Sequence, residues 1–93
     1  MGVRVMGVKV RLHPFLNEGK EGVYEVGGST VGECLNELLK VSPGLKEKLF
    51  DKTGKLKGYI EVLVNNKTTF PKELAFPVKD GDVLDVIVFL AGG

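Results

Sequence analysis

Apolar and other residues alternate from Met6 to Leu12, with Met6, Val8, Val10 and Leu12 set against Gly7, Lys9 and Arg11. A period of two predicts a strand with one buried and one wet face. His13-Pro14 breaks the pattern, the stretch Asn17 to Gly22 is turn-rich, and Val23-Tyr24-Glu25-Val26 resumes it, so the unit reads as a hairpin. The period then changes. Thr30-Val31-Gly32-Glu33 fits a capping box, in which the Thr30 hydroxyl and the Glu33 carboxylate each take a free backbone N–H. Val31, Cys34, Leu35, Leu38 and Leu39 follow at i, i+3, i+4, i+7 and i+8, one apolar stripe on a helix of about three turns. Ser42-Pro43-Gly44 should end it, because Pro43 disfavours helical geometry at Ser42 and Gly44 permits a reversal.

Leu45 to Phe50 can add one more helical turn, and the polar, lysine-rich stretch Asp51 to Gly58 reads as a mobile loop. Tyr59 to Val64 is a β-rich run closed by Asn65-Asn66, a pair that tolerates positive φ. Thr68 to Phe70 reads as a short edge strand stopped by Pro71, and Lys79-Asp80-Gly81-Asp82 as a turn. In Val83 to Leu90 both faces are hydrophobic except at Asp85, as expected of a central strand. The order predicts an α+β fold, a mixed sheet of four to five strands with one main helix packed on one face.

The chain has 93 residues, enough for one domain, here placed at 1–90 with a flexible tail at 91–93. Thirteen basic and 12 acidic side chains leave a net charge of +1, which offers no electrostatic ground for a nucleic acid or an anionic membrane as partner. A single cysteine excludes an internal disulfide and points to a reduced, cytoplasmic setting. The first residues lack the apolar run of a signal peptide, and no stretch approaches the ~20 apolar residues that span a bilayer.

Side-chain chemistry has little material. With one histidine and one cysteine, neither a metal cluster nor a Cys/His nucleophile pair is expected. Cys34 lies on the helix stripe and reads as a buried thiol, and His13 as a turn residue. Gly27-Gly28 precedes a helix without the further motif of a phosphate loop and reads as a plain turn. Lys46, Lys48, Lys52, Lys55 and Lys57 form a solvated face, with a docking patch as the other reading. The end of the chain differs. Gly92 and Gly93 follow a strongly apolar strand, and a thread without Cβ atoms can enter a cleft closed to other residues. Its terminal carboxylate, ionised at neutral pH, can attack an activated phosphate. A frayed chain end fits the tail alone equally well.

Taken together, several segments resemble the MoaD/ThiS family of ubiquitin-like sulfur carriers. They are Val8 to Leu12, Gly28 to Leu35, Val62 to Asn66, Leu74 with Pro77 to Leu84, and Ala91-Gly92-Gly93. The insert Pro43–Phe50 looks more like the MoaD branch, the small subunit of molybdopterin synthase, than the shorter ThiS branch. The resemblance implies a β-grasp fold and a carrier rather than an enzyme, with no cofactor of its own. A ubiquitin-activating-type partner uses ATP to adenylate the Gly93 carboxylate, and sulfur transfer gives a thiocarboxylate. A large synthase subunit or another acceptor takes the sulfur, in the MoaD branch into molybdopterin or its tungsten counterpart. Such carriers often have prolines shortly before Gly-Gly, where this chain has Val88-Phe89-Leu90-Ala91. Archaeal relatives are conjugated to protein lysines as modifiers or serve tRNA thiolation, and a noncovalent ubiquitin-like domain is a further alternative. Strand parity adds a surface. If Leu84, Val86 and Val88 face the helix, Leu63, Ile87 and Phe89 should form an apolar partner-binding patch on the open face.

Overall fold

The computed structural model describes residues 7–19 and 22–89. Its elements are β1 (Val8–Leu12), β2 (Gly22–Val26), α1 (Val31–Val41), α2 (Leu45–Leu49), β3 (Ile60–Val64), β4 (Lys67–Thr68) and β5 (Val83–Val88), with short 3-10 turns at Pro14–Leu16 and Glu73–Ala75. The five strands form one mixed sheet in the order β2-β1-β5-β3-β4. β1 and β5 run parallel at its centre, and the other pairs are antiparallel. The result is a β-grasp fold, as expected.

β5 sits centrally because its inward residues, Leu84 and Val86, need cover and find it beneath α1, where both are fully buried. The helix stripe meets them with Val31, Cys34, Leu35 and Leu38, all at 0% exposure, and Leu39 is only partly buried. Val8 and Val10 of β1 and Val62 of β3 complete the layer.

The start of α1 is capped in part from afar. Thr30 Oγ1 accepts from the Glu33 amide at 3.1 Å, as the capping box requires. The Glu33 carboxylate, however, takes the Ser29 amide at 2.8 Å and the Ser29 hydroxyl at 2.9 Å instead of the Thr30 amide. Thr30 pairs with Pro77 in a short bridge, and the Val31 amide donates to Phe76 O at 3.0 Å, so the segment after the second 3-10 turn supplies what a local cap would.

Three local expectations change. Gly44 has helical angles (φ −65°, ψ −16°) and serves as the N-cap of α2, so the turn after α1 comes from Ser42, held at φ −139°, ψ 72°. The stretch 51–58 is a hydrogen-bonded turn: Asp51 Oδ1 accepts from the Thr53 amide and hydroxyl and from the Lys55 amide, and Leu56 anchors it in the core. The edge strand occupies Lys67–Thr68 rather than Thr68 to Phe70, because Thr69 turns inward and donates its hydroxyl to Val62 O at 2.8 Å. Asn65 and Asn66, at φ 51° and 71°, make the tight β3–β4 turn that their types allow.

Candidate functional site

The sheet has one face under α1 and one without a covering element among the described residues. Alternation puts Lys9 and Arg11 of β1, Val83, Asp85 and Ile87 of β5, and Glu61 and Leu63 of β3 on this second face. Register decides what stands beside what. Arg11 is opposite Asp85 on one side and Val23 on the other, Asp85 is opposite Leu63, and Ile87 is opposite Glu61.

The centre of the face is therefore an ion pair. Arg11 donates Nε to Asp85 Oδ1 at 2.6 Å and a terminal NH2 nitrogen to Oδ2 at 2.9 Å, a two-pronged geometry that matches the guanidinium fork to the carboxylate. Beside Asp85, the Arg11 guanidinium is held above its ordinary pKa, by the hydrogen bond first and by the charge second. Around this pair stand half-buried Leu63, Ile87 and Val83 and exposed Val23. Glu61, between the apolar positions, accepts the Thr68 hydroxyl at 2.6 Å.

Leu63 and Ile87 lie on the open face as strand parity requires, but the surface is less apolar than the spacing predicts. Leu63 and Ile87 are diagonal neighbours divided by Glu61 and Asp85. Phe89, just past β5, is 61% exposed, and its amide donates to Tyr59 O. Gly93, Gly92 and Ala91 lie outside the described residues. The Asp51–Gly58 stretch does not cover the open face, since residues 51–54 share a groove with Gly32, Asn36 and Leu39 on the helix side.

Arg11 was not among the residues singled out from the sequence. A lone arginine at an outward strand position carries no signal until the parallel β1–β5 pairing sets it beside Asp85, some 74 residues later.

The remaining candidates take structural places. Cys34 is fully buried among the α1 stripe, and burial pushes its thiol up to about 11, so it is protonated at neutral pH and shielded. His13 is exposed and accepts from the Phe15 amide at 3.0 Å through Nδ1, capping the first 3-10 turn. Gly28 is needed for close approach. A Cβ there would stand 2.8 Å from Cys34 Sγ and 2.9 Å from Cys34 N, at a φ of +155°. The hollow beside it is lined by Glu33 and Glu37, a poor setting for a phosphate. Among the described residues, no group of three or more His, Cys, Asp or Glu could hold a metal ion, and no helix is long and apolar enough to cross a membrane.

Residues 15–93 match the model of the ThiS family. The fold is similar to that of CysO in the Amycolatopsis orientalis BexX/CysO complex, with a TM-score of 0.77 and 31% identity over 92% of this chain and 99% of that one. SAMP1 from Haloferax volcanii matches with a TM-score of 0.76 and 27% identity, covering 94% of this chain and 99% of its own. CysO from Mycobacterium tuberculosis matches with 0.76 and 25% identity, covering 89% and 99%. No match is found among curated protein sequences.

Proposed function

This chain belongs to the ThiS family, and from that premise we propose that it carries sulfur as a thiocarboxylate on Gly93. The observation that carries the reading is the family match, which runs from residue 15 through the terminal Gly92-Gly93. The body supplies a rigid mount: β5 is the central strand, and Phe89 follows it directly.

The chemistry explains why a partner and ATP are needed. A carboxylate is a poor electrophile, because its leaving group would be an oxide. In the proposed first step the Gly93 carboxylate oxygen attacks the α-phosphorus of ATP on a ubiquitin-activating-type enzyme, and pyrophosphate leaves. The acyl-adenylate then has AMP as a good leaving group. A hydrosulfide-level donor adds to the acyl carbon, the carbon–oxygen bond to AMP breaks, and a thiocarboxylate remains. The chain itself contributes the reacting end and a docking face made of Leu63, Ile87, Phe89 and the Arg11–Asp85 pair, while catalytic side chains belong to its partners.

For the acceptor we propose the dithiolene of molybdopterin or its tungsten counterpart, delivered in a complex with a larger synthase subunit, on the strength of the 43–50 insert. The likeness to SAMP1, a small archaeal modifier protein, supports a second reading, conjugation of Gly93 to protein lysines.

Intact mass spectrometry after incubation with ATP, a sulfur donor and the activating enzyme tests the proposal. The expected result is a mass gain equal to replacing one oxygen by sulfur, lost when Gly93 is deleted. An unchanged mass with an enzyme shown to be active overturns the sulfur reading, and isopeptide-linked products would favour the second.

A further inference from the structure

At the end of the sheet where the chain leaves β5 lies a groove of about 490 Å³ that the docking face above does not include. β1 runs parallel to β5, so the turn that follows it brings Phe15 and Leu16 to this end. β3 runs antiparallel, so the residue that precedes it, Tyr59, arrives there too. Val88 and buried Leu16 form an apolar floor, and Phe15 and Tyr59, 68% and 45% exposed, stand beside it. With Phe89, three of the seven aromatic residues of the chain are uncovered at one end, a concentration that marks a contact surface.

The charge of the lining narrows the occupant. Lys48 and Lys57 border the groove against one carboxylate, Glu47. Among the described residues, the only hydrogen bond of Lys48 Nζ is a long one, 3.4 Å to Leu16 O. Lys57 holds its place through its backbone, donating to Leu49 O at 2.9 Å, and its ammonium has no hydrogen bond or ion pair among the described residues. The ammonium groups of these two half-buried lysines beside an apolar floor are complementary to an apolar side chain flanked by carboxylates.

We propose that this groove seats an extended acidic–apolar segment of the enzyme that activates the tail, its apolar side chain entering over Val88 between Phe15 and Tyr59 and its carboxylates meeting Lys48 and Lys57. The inference rests on the carrier reading and adds a second, charge-selective contact at the root of the tail. Two other occupants fit less well. Residues 90–93 could reach the groove, but ordering four residues, two of them glycine, costs more than one leucine and one exposed ion pair return. A second copy joined by a two-fold axis here would bring Lys48 and Lys57 against their own equivalents.

The test is the steady-state activation of the full chain by the same organism's ubiquitin-activating-type enzyme with a hydrosulfide donor present, read as carrier-dependent pyrophosphate release. K48E/K57E should raise KM for the carrier about tenfold or more with kcat near that of the native chain, and should weaken the salt dependence. E47K should change KM in the opposite direction, which a loss of folding cannot imitate. If K48E/K57E is poorly folded by circular dichroism, K48Q/K57Q takes its place, with a smaller rise expected. KM values within twofold of the native chain for both the lysine variant and E47K overturn the groove proposal while leaving the carrier reading in place. Absence of any adenylation of the native chain overturns the carrier reading and the groove with it.

Discussion

The Asp82 carboxylate, only 7% exposed, accepts from the Lys79 amide at 2.9 Å, from Lys79 Nζ at 3.2 Å and from Asn65 Nδ2 at 3.1 Å. Asn65 in turn accepts from the Val83 amide at 3.0 Å, so one carboxylate ties the turn before β5 to the turn after β3. These donors favour the charged form and hold Asp82 below the usual carboxylate range, the Lys79 amide most of all. Asp51 is lowered by the Thr53 hydroxyl and amide, and Glu33 by the Ser29 amide and hydroxyl. In each case the folded pKa lies under the unfolded one. The stabilisation is therefore present above the ordinary carboxylate range and is lost as pH falls through the folded values. Urea midpoints followed by circular dichroism should stay level from neutral pH to about 5 and fall below about 4. Asp82→Asn should lower the midpoint at pH 7 and shallow the acid fall. An acid limb as steep as that of the native chain would show that Asp82 does not carry it.

At the scale of elements, α1 is held more by what it covers than by its own end. Its 11 residues are short for an isolated helix in water, so tertiary burial has to supply most of its stability. Leu38 is fully buried against the sheet, whereas Thr30 contributes one hydroxyl to an N-terminus that Phe76 O and the Ser29–Glu33 contacts also satisfy. Leu38→Ala should cost about 2–5 kcal/mol. Thr30→Ala should cost about 1 kcal/mol, the ordinary value of an N-cap. Chemical denaturation of the two variants checks the ranking, and a Thr30 loss equal to that of Leu38 would reverse it. The same balance explains why the capping pattern was legible in sequence while its partner was not. Thr30 and Glu33 are local, but the Glu33 carboxylate turns to Ser29, and the bridge partner of Thr30, Pro77, arrives only in the folded chain.

The whole molecule divides its work between a covered face that holds it together and an open face, with the tail root beside it, that is available for partners. Phe89 belongs to the second. Its ring is exposed, so Phe89→Asp should leave the circular dichroism spectrum and thermal midpoint unchanged while abolishing adenylation of the chain. Adenylation at the native rate would remove Phe89 from the docking face.

Periodicity was enough to mark β1, β2 and α1, because burial on one face writes a period of two or 3.6 into neighbouring residues, and β3 and β5 were legible as β-rich and continuously apolar runs. The Asn65-Asn66 turn, the stop at Ser42-Pro43, the buried Cys34 and the outward parity of Leu63 and Ile87 follow from the same local rules, and the Gly-Gly end needed no fold to be seen. What local rules cannot carry is pairing between distant segments. The parallel register of β1 and β5 joins Arg11 to Asp85 and turns an apolar stripe into a mixed face. Strand direction gathers Phe15, Tyr59 and Val88 at one end. The polar loop at 51–58 became an ordered turn because one buried side chain, Leu56, and one carboxylate, Asp51, outweigh its lysine-rich composition. Each of these outcomes depends on contacts across tens of residues or on a single anchoring side chain, and neither leaves a period in the sequence.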